Sequence, residues 1–138
     1  MTEEDFRALL ERLGTAWSTQ DTRLGLACFT EDASYSEPPD IQHYVGHDQL
    51  QPYFAALTPG TFMRFHTVAF DESAQRGFGE YTFGHERSEI ADHGVAVVEV
   101  ADGRIAVWRE YQRKGPSVFA DFVAVDGKTW QWHIGNYP

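Results

Sequence analysis

Apolar residues recur along the chain in two rhythms, and the change from one to the other divides it. Phe6, Leu9, Leu10, Leu13 and Trp17 return at helical spacing behind Thr2 and Asp5, a capping start, and predict a first amphipathic helix. Asp21 or Thr22 can open a shorter helix running to Phe29, with Leu24, Ala27 and Cys28 turned inward. Ala33–Glu37 alternates as a short strand, stopped by Pro38-Pro39, and a polar loop is expected from there to Gly46. His47–Leu57 puts Leu50, Tyr53, Phe54 and Leu57 on one helical face, with Pro52 tolerable only in its first turn.

From Thr61 the period falls to two. Thr61–Asp71, Gly77–Glu89, Asp92–Val100 and Arg104–Lys114 are expected as four strands of an antiparallel meander. Helices followed by a meander define an α+β fold. Beyond Gly115-Pro116, residues 116–138 are expected to form a hairpin extension of the same single domain, Phe122–Val125 and Lys128–Ile134 around Asp126-Gly127, with Trp130 and Trp132 on one face.

The two most apolar strands, Val95–Val100 and Ile105–Trp108, flank Ala101-Asp102-Gly103, and the second turns charged at Arg109 and Glu110. A two-residue turn sets Glu110 opposite Val95 and brings His93 onto its face. A three-residue turn with Gly103 left-handed sets Glu110 opposite Gly94 and Trp108 opposite Ala96, and turns His93 away. The second register is preferred, because it opposes large or polar groups to small ones and leaves room for a ligand. The other face, with His93, Val95, Val97, Val107, Arg109 and Tyr111, is then also largely apolar and needs cover, which a second subunit would provide.

Composition narrows the function. With 11 Lys+Arg against 21 Asp+Glu and no basic run, the chain offers neither a nucleic-acid footprint nor an attraction to anionic membranes. A single cysteine, Cys28, excludes an internal disulfide and reads as a small buried residue. No signal peptide or membrane-length apolar run is present, so a soluble, cytoplasmic protein is expected. His66 and His85 lack any ligand spacing, and no metal or other cofactor is expected.

The element order, with a strand ending YSEPP and a meander carrying GEYTF, DHGVAVVEV and DGRIAVWREY, resembles the nuclear transport factor 2-like superfamily, particularly its SnoaL-like members, over Phe6 to Lys114. The resemblance implies a cone-shaped α+β barrel in which about three N-terminal helices close a strongly curved, mostly antiparallel sheet over a pocket, often in a homodimer. Within that superfamily the chain is similar to limonene epoxide hydrolase, whose pocket uses Tyr-x-Asn on the first strand, Arg-x-Asp on a middle strand and Trp-Arg-Asp-Tyr near the end. Trp108-Arg109-Glu110-Tyr111 matches the last with Glu for Asp, and Tyr35-Ser36-Glu37 matches the first with Glu for Asn. Phe78-Gly79-Glu80 falls at the middle motif, keeping an acid but replacing the arginine.

These readings converge on Glu37, Glu80 and Glu110 as carboxylates pointing into one low-dielectric pocket, where at least one pKa must rise toward neutral. Glu80 and Glu110 are then the acid/base pair, with Glu37 or Tyr35 orienting substrate or water. Trp17, Tyr35, Tyr53, Phe54, Phe65 and Trp108 are expected to line or floor the pocket around a small hydrophobic molecule. Two functions stay open: a cofactor-independent isomerase, cyclase, dehydratase or hydrolase, and a non-catalytic dimeric binding module.

Overall fold

The computed structural model describes residues 1–124. Helix α1 (Glu3–Ser18) starts where the sequence places it: Thr2 accepts from the Asp5 backbone N–H while the Asp5 carboxylate accepts from Thr2. Its apolar stripe of Phe6, Leu9, Leu10, Leu13 and Trp17 is buried against the sheet, each side chain contributing roughly 1.5–3 kcal/mol of transfer free energy. Helix α2 (Thr22–Ala27), capped by Asp21, ends sooner than expected, because Phe29 already belongs to strand β1 (Phe29–Glu37). Cys28 between them is buried and unpaired.

The expected polar loop contains structure. Pro38–Asp40 makes a 3-10 turn, and Gln42–Val45 forms strand β2, antiparallel to the end of β1 with Ser36 opposite His43. Helix α3 (Gly46–Ala55) carries Pro52 beyond its first turn, contrary to the position expected for it, so the helix runs on with one backbone hydrogen bond fewer. Strands β3 (Thr61–Asp71), β4 (Arg76–His85), β5 (Ile90–Ala101) and β6 (Arg104–Pro116) form the meander. A final helical turn, α4 (Phe119–Phe122), takes in Phe122, for which a strand is expected from the sequence; the rest of the expected terminal hairpin lies outside the described residues.

The six strands form one curved sheet in the order β2-β1-β6-β5-β4-β3, antiparallel except where β1 meets β6, and not closed into a barrel. The helices cover its inner face. In the β5–β6 hairpin both expected registers give way to a third. Asp102 and Gly103, both left-handed, make a two-residue turn, and a bulge between Glu99 and Val100 then shifts the pairing by one. Glu110 ends opposite Ala96, and Trp108 opposite Val98. The shift restores the parity of the preferred register, so Trp108 and Glu110 face inward and His93 outward.

Candidate active site

The site is built where β1 runs parallel to β6. Tyr35 pairs with Trp108 and Ser36 with Arg109, which brings Glu37 level with Glu110 on neighbouring strands, a spacing of roughly 4.8 Å along the hydrogen-bonding direction. Both carboxylates are buried, at 2% and 3% exposure. The Tyr35 hydroxyl donates to Glu110 Oε1 at 2.7 Å and the Trp108 indole N–H to Oε2 at 3.0 Å. Tyr53 donates to Glu37 Oε1 at 2.6 Å, and the Gln42 and Gln112 amides to Oε2 at 3.4 and 3.2 Å. Gln112 also donates to Asp40 and accepts from Tyr81.

A cavity of about 240 Å³ opens beside this pair. Trp17, Tyr53, Phe54, Tyr81 and Phe83 form much of its wall, and Asp40, Asp92 and Lys114 also line it. Lys114 is held by both oxygens of Asp92 at 2.9 Å. Gly94 makes room for one wall: a Cβ there would stand 2.5 Å from the Tyr111 carbonyl and 2.7 Å from the Tyr81 hydroxyl. The Trp17 indole N–H has no hydrogen-bond partner among the described residues.

Burial, first, and the charge of Glu37, second, push Glu110 up to about 8, against the hydrogen bonds from Tyr35 and Trp108, which pull the other way. The Tyr35, Tyr53 and Tyr81 phenols are all raised, chiefly by burial, and stay protonated as donors. Near neutral pH the pocket therefore holds a neutral carboxylic acid at Glu110, on the strand next to the Glu37 carboxyl. Both oxygens of Glu110 already accept from fixed donors, so its acid proton is left to offer to a bound molecule.

Glu80 is not part of this arrangement. It pairs with Val95, and because Gly94 and Ala96 face inward, Val95 and Glu80 face outward. There Thr67 donates to Glu80 at 2.8 Å. The inward residues of β4 at this level are Gly79, Tyr81 and Phe83, so the second carboxylate comes from β1, and among the described residues no guanidinium bridges the pair. Gln112, a neutral amide, stands on Glu37 instead. Of the expected aromatic lining, Trp17, Tyr35, Tyr53 and Phe54 border the cavity, whereas Phe65 and Trp108 lie outside its lining and pack edge to face at 6.5 Å. Sequence reasoning missed Gln112, Gln42 and Tyr81. Gln112 carried a usable signal, since it sits two residues beyond Glu110 on the same strand face.

The outer face carries a second polar cluster. His93 Nε2 lies 2.7 Å from the Pro116 carbonyl, and Thr82 Oγ1 lies 2.9 Å from His93 Nδ1 and 2.8 Å from His66 Nε2. The carbonyl only accepts, so in a neutral ring His93 Nε2 donates to it and Nδ1 accepts from Thr82, whose oxygen accepts from His66. Phe119 and Phe122 of α4 stack on the rings of His66 and His93, at 3.6 and 4.0 Å respectively.

A curved sheet closed on one face by helices, with a polar and aromatic pocket between them, is the nuclear transport factor 2-like fold. Residues 10–108 match the SnoaL-like domain family, and the chain belongs to it. No curated protein sequence matches the chain. Solved structures are similar in fold. A limonene epoxide hydrolase-like epoxide hydrolase from M. tuberculosis superposes with a TM-score of 0.66 at 18% identity, over 80% of this chain and 84% of that one. A ketosteroid isomerase candidate from Kribbella flavida DSM 17836 gives 0.70 at 16% identity, over 90% of each chain. An NTF2-like protein of unknown function from Burkholderia xenovorans LB400 gives 0.66 at 17% identity, over 91% and 98%. Among the described residues no helix is long and apolar enough to cross a membrane.

Proposed function

We propose that the chain binds a small, largely apolar molecule in the β1–β6 cavity and moves a proton on it, with Glu110 as general acid and Glu37 as general base. The observation that carries this reading is the raised pKa of Glu110 beside the charge of Glu37, inside a cavity walled by aromatic side chains. A buried neutral acid with a second carboxyl group beside it suits isomerisation, dehydration or hydrolysis. The epoxide hydrolase and isomerase among the structural relatives are compatible with it. Without the bridging arginine, epoxide opening is the least supported of these. The reading is tested by a 13C NMR titration of the chain labelled at its glutamate carboxyls. Glu110 is expected to titrate near 8, and to fall in Glu37→Gln while staying above an ordinary glutamate, because burial is the larger cause. An ordinary value for Glu110 overturns the acid/base assignment and leaves a binding module.

The outer sheet face supports a dimer as part of the same proposal. Phe78, Val95 and Tyr111 are all more than a third exposed there, beside the part that α4 covers. Light scattering of the purified chain is expected to give twice its mass of 15.7 kDa.

A further inference from the structure

Carboxyl groups outnumber cations around the cavity. Glu37 and Glu110 lie inside it and Asp40 and Asp92 also line it, while the lone cationic side chain in its lining among the described residues, Lys114, is occupied by Asp92. Buried carboxylates are ordinarily met by a cation or a metal. Here the groups facing them are phenols, amides and an indole. Their surroundings are aromatic, with Trp17, Tyr35, Tyr53, Phe54, Tyr81 and Phe83 in the lining, and aromatic rings are the groups that attract poorly hydrated cations. A bare metal ion is a worse fit, because no group of three or more His, Cys, Asp or Glu among the described residues is placed to hold one. The volume of about 240 Å³ is below the size of a drug-like site.

We propose that the ligand of this cavity is a small organic ammonium ion, an alkylamine or methylated amine, seated between Glu37 and Glu110 against the aromatic walls. The inference rests on the acid/base reading of the same pocket and names its ligand class. An amine arriving as the free base takes the Glu110 proton onto its nitrogen, forming one N–H bond as one O–H bond breaks. An ion already charged displaces that proton to solvent. Either route ends with a cation between two carboxylates, and the net charge of −10 on the chain favours its approach.

Choline and its neutral isostere 3,3-dimethylbutan-1-ol separate charge from shape, since they differ in one atom at the centre of the same branched head. Calorimetric titration of the full chain is expected to show saturable choline binding with a Kd below about 1 mM, and at least about tenfold weaker binding of the alcohol. Choline is charged at every pH, so the protein alone sets the pH dependence. With Glu110 near 8, choline affinity should rise about 25-fold between about pH 6.5 and about pH 8.5, with close to one proton released at the lower pH. Glu110→Gln should flatten that dependence; should the variant not fold, the proton release of the wild type carries the same information. Equal affinity for the alcohol, no saturation by choline, or binding without proton release each overturns the cation inference. If the alcohol alone binds while Glu110 still titrates near 8, the acid/base pocket stands and only its ligand class changes.

Discussion

Replacing Glu110 by Gln keeps the shape of the neutral acid and one of its two acceptor contacts, but removes the ability to ionise. That makes it a test of whether the buried acid is protonated. The folded-state value of about 8 lies above the ordinary 4.5, so the native protein holds a proton that the unfolded chain releases between those values. Stability that depends on this proton is present in full below about pH 4.5, falls as pH rises through the window, and levels off above about 8. At 1.36 kcal/mol per pH unit, the wild type loses about 1 kcal/mol by about pH 5 and about 5 kcal/mol by about pH 8.5. The Glu110→Gln variant loses none of it. Urea denaturation of both proteins at these two pH values should therefore show the variant gaining about 4 kcal/mol on the wild type as pH rises. Parallel curves, with a difference unchanged within about 0.5 kcal/mol, would mean that Glu110 is already ionised at the lower pH, and would refute the reasoning.

Other substitutions probe the neighbouring contacts. Tyr35→Phe removes the hydroxyl that donates to Glu110 Oε1 and should raise the Glu110 pKa further, by up to about one unit, in the same carboxyl titration. Gly94→Ala drives a methyl into the Tyr111 carbonyl and the Tyr81 hydroxyl; a loss of about 1–3 kcal/mol is expected by denaturant melting, with the cavity distorted. On the outer face, burial lowers the His66 pKa, as do His93 and Arg64, against the raising charge of Glu80. Docking of α4 against a neutral His66 thus adds stability that is present above about pH 6.5 and declines as pH falls below it. Phe119→Ala, which uncovers the ring, should move the His66 pKa up toward 6.5 in an NMR titration.

The periodic parts of the chain were legible because local rules govern them: the Thr2 cap, the stripe of α1 and the bounds of β3 follow from spacing alone. The inward facing of Glu110 was read correctly by way of a register that is not the real one, since a bulge after a two-residue turn and a three-residue turn give the same parity. Glu80 was misread because its face depends on how β4 meets β5, and the residues 86–89 between them carry no turn signature that fixes a register. Strand β2 was hidden by the polar composition of Gln42–Val45, whose partner is an edge of β1 and whose side chains are only half covered. The Glu37–Glu110 pairing was beyond any local rule. It rests on a parallel contact between strands that have β2, α3, β3, β4 and β5 between them in the sequence.

That contact gives β6 an unusual place in the life of the molecule. In the sheet it is the strand between β1 and β5, so the β1–β2 hairpin has no neighbour in the meander until Ile105–Arg109 exists. The Tyr35 to Glu110 hydrogen bond closes a separation of 75 residues, among the latest to be satisfied in a chain emerging from its N-terminus. During synthesis the first half waits, with Phe29 and Tyr35 lacking the Trp108 ring they pack on, for a strand still to be translated, and the pocket comes into being in the same step that completes the sheet. A ribosome stalled before that strand would hold two unfinished halves and no site, which makes this an all-or-none protein at the level of its own biogenesis.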